Sequence, residues 1–209
     1  MTMTFKPIAN GESIPIESIP CLPFDDFSDQ AIDIVAGGGK VVHFFAFQVD
    51  GKFRLLAVLR TDTLLVAGCD APEAYPALTA RCEPFHMFER EIAEQYGIRP
   101  EGHPWLKMVR YHANCRGVED VFGNDYTEDI PGRYDYYSVS GDEIHEVAVG
   151  PVHAGVIEPG HFRFNCIGER VLNLEIQLGY QHRGVENLLQ TAAANRLAFI
   201  AENTAGDTS

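Results

Sequence analysis

Two places along this chain combine side-chain types that could handle a proton. Glu91 and Glu94 stand three residues apart, so on a helix they share a face and could act as an acid/base pair. A solvated face, or structural ion pairs with Arg90, fits the same spacing and carries more weight. Glu158 lies between Val156, Ile157 and Pro159, near His153 and His161. Burial among such neighbours would lift its pKa toward neutrality, where a carboxyl can take up and release protons; an exposed loop carboxylate is the plain alternative. His153 follows Gly150-Pro151-Val152, and for a lone histidine in such a loop a structural hydrogen bond is the commoner role. A hydrolase built on Glu158 and His161 ranks last, because neither a nucleophile elbow nor a metal-ligand spacing accompanies them.

The composition narrows the classes. With 209 residues, 45% of them hydrophobic and 22% charged, the chain has the make-up of one globular domain or two small ones. A formal net charge of -14 argues against nucleic acid or an anionic lipid surface as a direct partner, since both need clustered Lys and Arg. The longest apolar run, Val41 to Phe47, contains His43 and falls far short of the ~18 residues of a membrane span. The first twenty residues lack a basic start and an apolar stretch, so a cytoplasmic chain without a secretory signal is expected. Cys21, Cys69, Cys82, Cys115 and Cys166 are odd in number and show no zinc or iron-sulfur spacing, which suits reduced, mostly buried thiols. No Gly-x-Gly-x-x-Gly loop follows a strand-like run, and Gly37 to Gly39 reads as a breaker only. The isolated chain is therefore expected to bind no nickel, iron-sulfur cluster, flavin or nicotinamide cofactor.

The elements that must position these residues follow from periodicity. Phe24, Phe27, Ala31, Ile32 and Val35 have helical spacing and end at the three glycines. Strand-like runs cover Val41 to Val49, Phe53 to Arg60 and Thr63 to Ala67, the first two joined at Asp50-Gly51 in a tight hairpin. A second helix is predicted from Pro84 to Tyr96, with Phe85, Phe88, Ile92 and Tyr96 as its stripe and Gly97 as its stop. From His112 to Glu146 the chain turns acidic and Tyr-rich, and Tyr126, Tyr134, Tyr136 and Tyr137 suggest an ordered strap rather than a free linker. Ile144 to Val149, His161 to Ile167 and Arg170 to Leu178 read as a three-stranded sheet, turning at Gly168-Glu169. One long helix, about His182 to Ala201, should present Val185, Leu188, Leu189, Ala192, Leu197 and Ile200 on one side.

The run Glu89-Arg90-Glu91-Ile92-Ala93-Glu94-Gln95-Tyr96-Gly97-Ile98, followed by Gly102-His103-Pro104-Trp105-Leu106-Lys107, resembles the signature of the C subunit of respiratory complex I. Glu94 stands where that family usually has Asp, and Pro100 where it usually has an aromatic residue. The resemblance implies a docking domain without a cofactor, and outside it His103 before Pro reads as a turn or packing residue. Further on, Gly150-Pro151-Val152-His153, then Ile157-Glu158 with Gly160-His161-Phe162-Arg163, then Gly179-Tyr180-Gln181-His182-Arg183-Gly184-Val185-Glu186 resemble three motifs of the D subunit of complex I and of the large subunits of energy-converting nickel-iron hydrogenases, formate hydrogenlyase included. This likeness puts a proton-gate role on Glu158 and a cavity-lining role on His153, although Ile157 replaces a second family histidine. Arg183 and Glu186 match residues near the active-site wall, or else cap the helix electrostatically.

Together the resemblances imply an α+β chain in three parts. Residues 1–112 would be a C-subunit-like two-layer docking domain with a mixed sheet, 113–143 an acidic connector, and 144–209 a truncated large-subunit segment. The family implies a nickel-iron centre beside an iron-sulfur cluster, held by two Cys-x-x-Cys pairs. Ala205 and Thr208 stand at the place of the first pair, so no metal ligand is expected here. Implied partners are an iron-sulfur small subunit and membrane subunits at the inner face of the cytoplasmic membrane. An uncovered stripe on the last helix leads us to expect self-association as well. A metal-free scaffold that keeps only the docking surfaces is the second hypothesis.

Overall fold

The computed structural model describes residues 4–114, 116–117, 119–124 and 134–204. The chain divides into two compact units, Met1–Arg133 and Tyr134–Ser209.

In the first unit, helix α1 (Phe24–Ala36) opens with Asp25 and Asp26, whose charges suit the positive end of the helix dipole. It closes at the glycines, where Gly39 donates to the Ile34 carbonyl; a Cβ on Gly39 would lie 2.7 Å from that oxygen, so only glycine fits. Strands β1 (Lys6–Ile8), β2 (Lys40–Val49), β3 (Lys52–Arg60) and β4 (Leu64–Asp70) form a sheet of order β1-β4-β3-β2. Asp50 and Gly51 both have positive φ, 49° and 78°, as a two-residue hairpin turn requires. Phe44, Ala46, Leu55, Ala57, Leu59, Ala67 and Cys69 face the helices and meet Phe27 and Ala31 of α1 in one buried cluster. Burying each large side chain there stabilises the fold by about 1.5–3 kcal/mol.

This sheet pairs antiparallel throughout, which corrects the expectation of a mixed sheet. Parallel pairing is confined to a bridge between Cys21 and Gly68 and to a separate pair, β5 (Ala74–Pro76) with β6 (Arg99–Glu101). Strand β1 escapes a periodicity search because it is three residues long and contains Pro7, which an edge strand tolerates. A 3-10 turn, Glu83–Phe85, leads into helix α2 (His86–Tyr96). Gly97 ends α2 with φ 64°, and a Cβ on it would run into the Arg116 guanidinium.

In the second unit, strands β7 (Ile144–Val149), β8 (His161–Ile167) and β9 (Arg170–Gln177) form an antiparallel sheet in that order. The expected single long helix is instead two short ones, α3 (Val185–Thr191) and α4 (Leu197–Glu202), separated by a 3-10 turn at Ala194–Arg196. Ala192 and Ala193 adopt extended backbone angles at the break. The physical reason is that Leu188, Leu189, Leu197 and Phe199 are exposed. A helix in a protein draws most of its stability from packing its apolar face. Four helices and three separate sheets among the described residues make the architecture compatible with α+β.

Candidate functional site

Helix α2 projects four charged side chains within six residues, and none of them is a solvated face. Glu89 and Glu94 are both 0% exposed. Glu89 reaches back to the 3-10 turn Leu78–Ala80, accepting from the backbone N–H of Leu78 (2.8 Å) and Thr79 (2.9 Å) and from the Thr79 hydroxyl. Burial pushes its pKa up, and the hydrogen bonds from Thr79 and Leu78 hold it back in part. Tyr75 lies buried nearby, and desolvation followed by the Glu89 charge raises its phenol well above the ordinary range. Glu94 accepts from the successive N–H groups of Val109, Arg110 and Tyr111, a carboxylate seated in a backbone nest. Tyr111 takes a φ of 60° to close that nest.

Arg90 also holds backbone. Its guanidinium donates to the carbonyls of Lys107 (2.7 Å) and Met108 (2.9 Å). Glu91, the one half-buried member, pairs with Arg110 at 2.9 Å. The whole of residues 107–111 is therefore stitched to α2 by charge-assisted bonds, the stronger kind. This corrects the expectation of a solvated face for Glu91 and Glu94: both point to one segment, Glu94 onto its backbone and Glu91 onto Arg110. Spacing shows that Glu94 and Glu91 share a face; nothing in it shows that a loop 15 residues on will cover that face.

His103 behaves as a packing residue. Its Nδ1 accepts from the Trp105 N–H (3.0 Å), which only the neutral ring can do, and leaves Nε2 to donate to the His86 carbonyl (3.2 Å). Burial lowers its pKa to about 4. At the C-terminal end of α2, Arg116 donates to the Tyr96 carbonyl and lies over the Phe53 ring, beside a groove of about 750 Å³ lined by charges of both signs, among them Lys52, Glu73, Arg99 and Asp120.

In the second unit, His153 and Glu158 share the loop between β7 and β8. His153 bonds through Nε2 to the Gly160 carbonyl (2.8 Å) and sets its ring edge-on to Phe162. Gly160 N–H in turn donates to the Pro151 carbonyl, so the loop is closed on itself. Gly150 has φ 94°, and a Cβ there would lie 2.2 Å from the Gly160 oxygen. His153 thus holds the loop. Glu158 is exposed, with Val156 and Ile157 exposed beside it, so the described residues do not bury it. His161 lies 3.4 Å through Nδ1 from the Gly150 carbonyl, and no described bond joins it to Glu158.

A row of polar residues, of which only Arg163 belongs to a motif, lies on one face of the β8–β9 pair. Arg163 is opposite Glu175, and Asn165 opposite Asn173. Glu175, Gln177 and Asn165 are buried under Tyr136 and Tyr137. The Tyr136 hydroxyl bonds Gln177 (2.7 Å), the Tyr137 N–H bonds Glu175, and Asn165 bonds the Tyr137 carbonyl. Arg163 stacks over the Tyr136 ring and pairs with Glu146 (2.9 Å). Alternation in β8 and β9 showed the two faces but not which would be covered.

Ala205 and Thr208 lie outside the described residues, as do Cys115 and Tyr126. The described cysteines are free thiols. Cys21, Cys69 and Cys82 belong to the first unit and Cys166 to the second, Cys69 and Cys166 are buried, and burial pushes the Cys69 thiol up to about 12. Among the described residues, no three His, Cys, Asp or Glu side chains converge as a metal would need, and no helix is long and apolar enough to cross a membrane.

Helix-on-sheet packing in which Glu89, Arg90 and Glu94 hold backbone is followed by a sheet-and-helix unit in which His153 holds the loop after β7. Residues 32–137, just over half of the chain, match the family described as respiratory-chain NADH dehydrogenase, 30 Kd subunit, and the chain belongs to that family. It is 26% identical over 188 residues to hydrogenase-4 component G of Escherichia coli (strain K12), covering 80% of this chain and 31% of that protein. It is 28% identical over 153 residues to formate hydrogenlyase subunit 5 of the same strain, covering 63% and 25%. To the C/D subunit of NADH-quinone oxidoreductase from Bacteroides thetaiotaomicron it is 27% identical over 126 residues, covering 49% and 23%. The chain spans a third or less of the length of these curated relatives. Since 80% of the chain is more than its first unit holds, the likeness to hydrogenase-4 component G runs into the second. Its relatives are subunits of hydrogenase and NADH-quinone oxidoreductase complexes, the two lines that the motifs suggested.

Proposed function

We propose that this chain is a docking portion of an electron-transfer complex of the hydrogenase and complex I type, fusing a C-subunit-like domain (residues 1–112), a connector (113–143) and the front of a D-subunit or hydrogenase large-subunit segment (144–209). The supporting observation is the use of α2: Glu89, Arg90 and Glu94 all hold backbone, which leaves a shaped surface and no reactive group. The chain by itself holds no nickel-iron or iron-sulfur centre, because its donor set lacks paired thiolates. Its partners are an iron-sulfur subunit and membrane subunits, and its place is peripheral, at the inner face of the cytoplasmic membrane. Within the complex, a partner burying Glu158 would raise its pKa and let it pass protons, with His153 fixing the loop that carries it. Self-association of the isolated chain belongs to the same reading.

Affinity capture of the tagged full chain from its native membranes tests this. An iron-sulfur subunit and membrane subunits in fixed ratio are expected, with nickel and iron assigned to other chains. Elution alone, or stoichiometric nickel on this chain, would overturn the proposal. In that complex, Glu158→Gln should slow proton-coupled turnover without loss of assembly; an unchanged rate removes Glu158 from the proton path. The second reading, a metal-free scaffold, rests on Ala205 and Thr208 at the ligand positions. It is distinguished by capture with assembly intermediates and not with the finished complex.

A further inference from the structure

We draw no further inference here: the strongest candidate, the apolar face of the β7–β8–β9 sheet on which Val147, Val149, Leu174 and Ile176 are exposed, carries nothing because nothing in the structure shows what covers it.

Discussion

In the first unit Glu89, Arg90 and Glu94 lie inside, each matched to a backbone donor or acceptor; in the second, the polar row is covered while Val147, Val149, Leu174 and Ile176 are exposed. Glu94 and Glu158 show the contrast most plainly. Both are carboxylates beside aliphatic neighbours, yet Glu94 is sealed among three N–H groups while Glu158 stands in solvent. A buried carboxylate is tolerable only where such donors replace its water, and the 107–111 segment supplies them. In the second unit the Tyr137 N–H does this for Glu175, and no such segment lies over Glu158 among the described residues. Its chemistry, if it has any, waits on whatever covers it.

Removing the Glu94 carboxylate should give the largest effect. Glu94→Ala leaves three buried N–H groups without an acceptor and should cost about 3–5 kcal/mol in urea unfolding. A loss under 1 kcal/mol would mean that the nest is solvated and that the contrast with Glu158 fails. Next, Thr79→Val removes one donor from Glu89 and should cost about 1–2 kcal/mol. Its counterpart in the second unit, Tyr136→Phe, loses the bond to Gln177 and should cost about 1 kcal/mol, read from hydrogen exchange in β9. If Tyr136→Phe costs more than Thr79→Val, the strap and not the α2 signature is the tighter anchor.

The pH dependence sharpens the same comparison. The folded pKa of His103, about 4, lies below its unfolded value of 6.5, so the unfolded chain binds its proton first on acidification. Stability is full above pH 6.5 and is lost as pH falls toward 4. His43 and His86, also lowered by burial first and then by Arg110 and Arg90 respectively, add to the loss in the same direction. The slope should flatten in His103→Asn, whose amide oxygen can accept from Trp105 N–H without taking up a proton. An unchanged slope would move the effect to the other two histidines. The smallest effect belongs to Glu158→Gln, within about 0.5 kcal/mol of wild type in the isolated chain, as for other exposed positions. A larger loss would show that the loop carboxylate already has a structural partner.

Much of the local structure was written in periodicity and turn chemistry. The 3.6-residue spacing of Phe24 to Val35, the Asp50-Gly51 turn, the Gly97 stop and the alternation of β8 and β9 are each set by a few neighbouring residues, and each appears where it was expected. The motifs also sufficed for kinship with hydrogenase and NADH-quinone oxidoreductase subunits, because residue type and order survive without any knowledge of contacts. What tertiary structure alone decided is which side of each element meets protein and which meets water. Glu89, Arg90 and Glu94 are interior because loops 10 to 18 residues away fold over α2. The helix expected from His182 to Ala201 breaks at Ala192, where Leu188, Leu189 and Leu197 of its stripe stay exposed among the described residues. Glu158 stays exposed because its apolar neighbours are themselves uncovered. Burial is a property of two surfaces in contact, and a linear pattern describes only one of them.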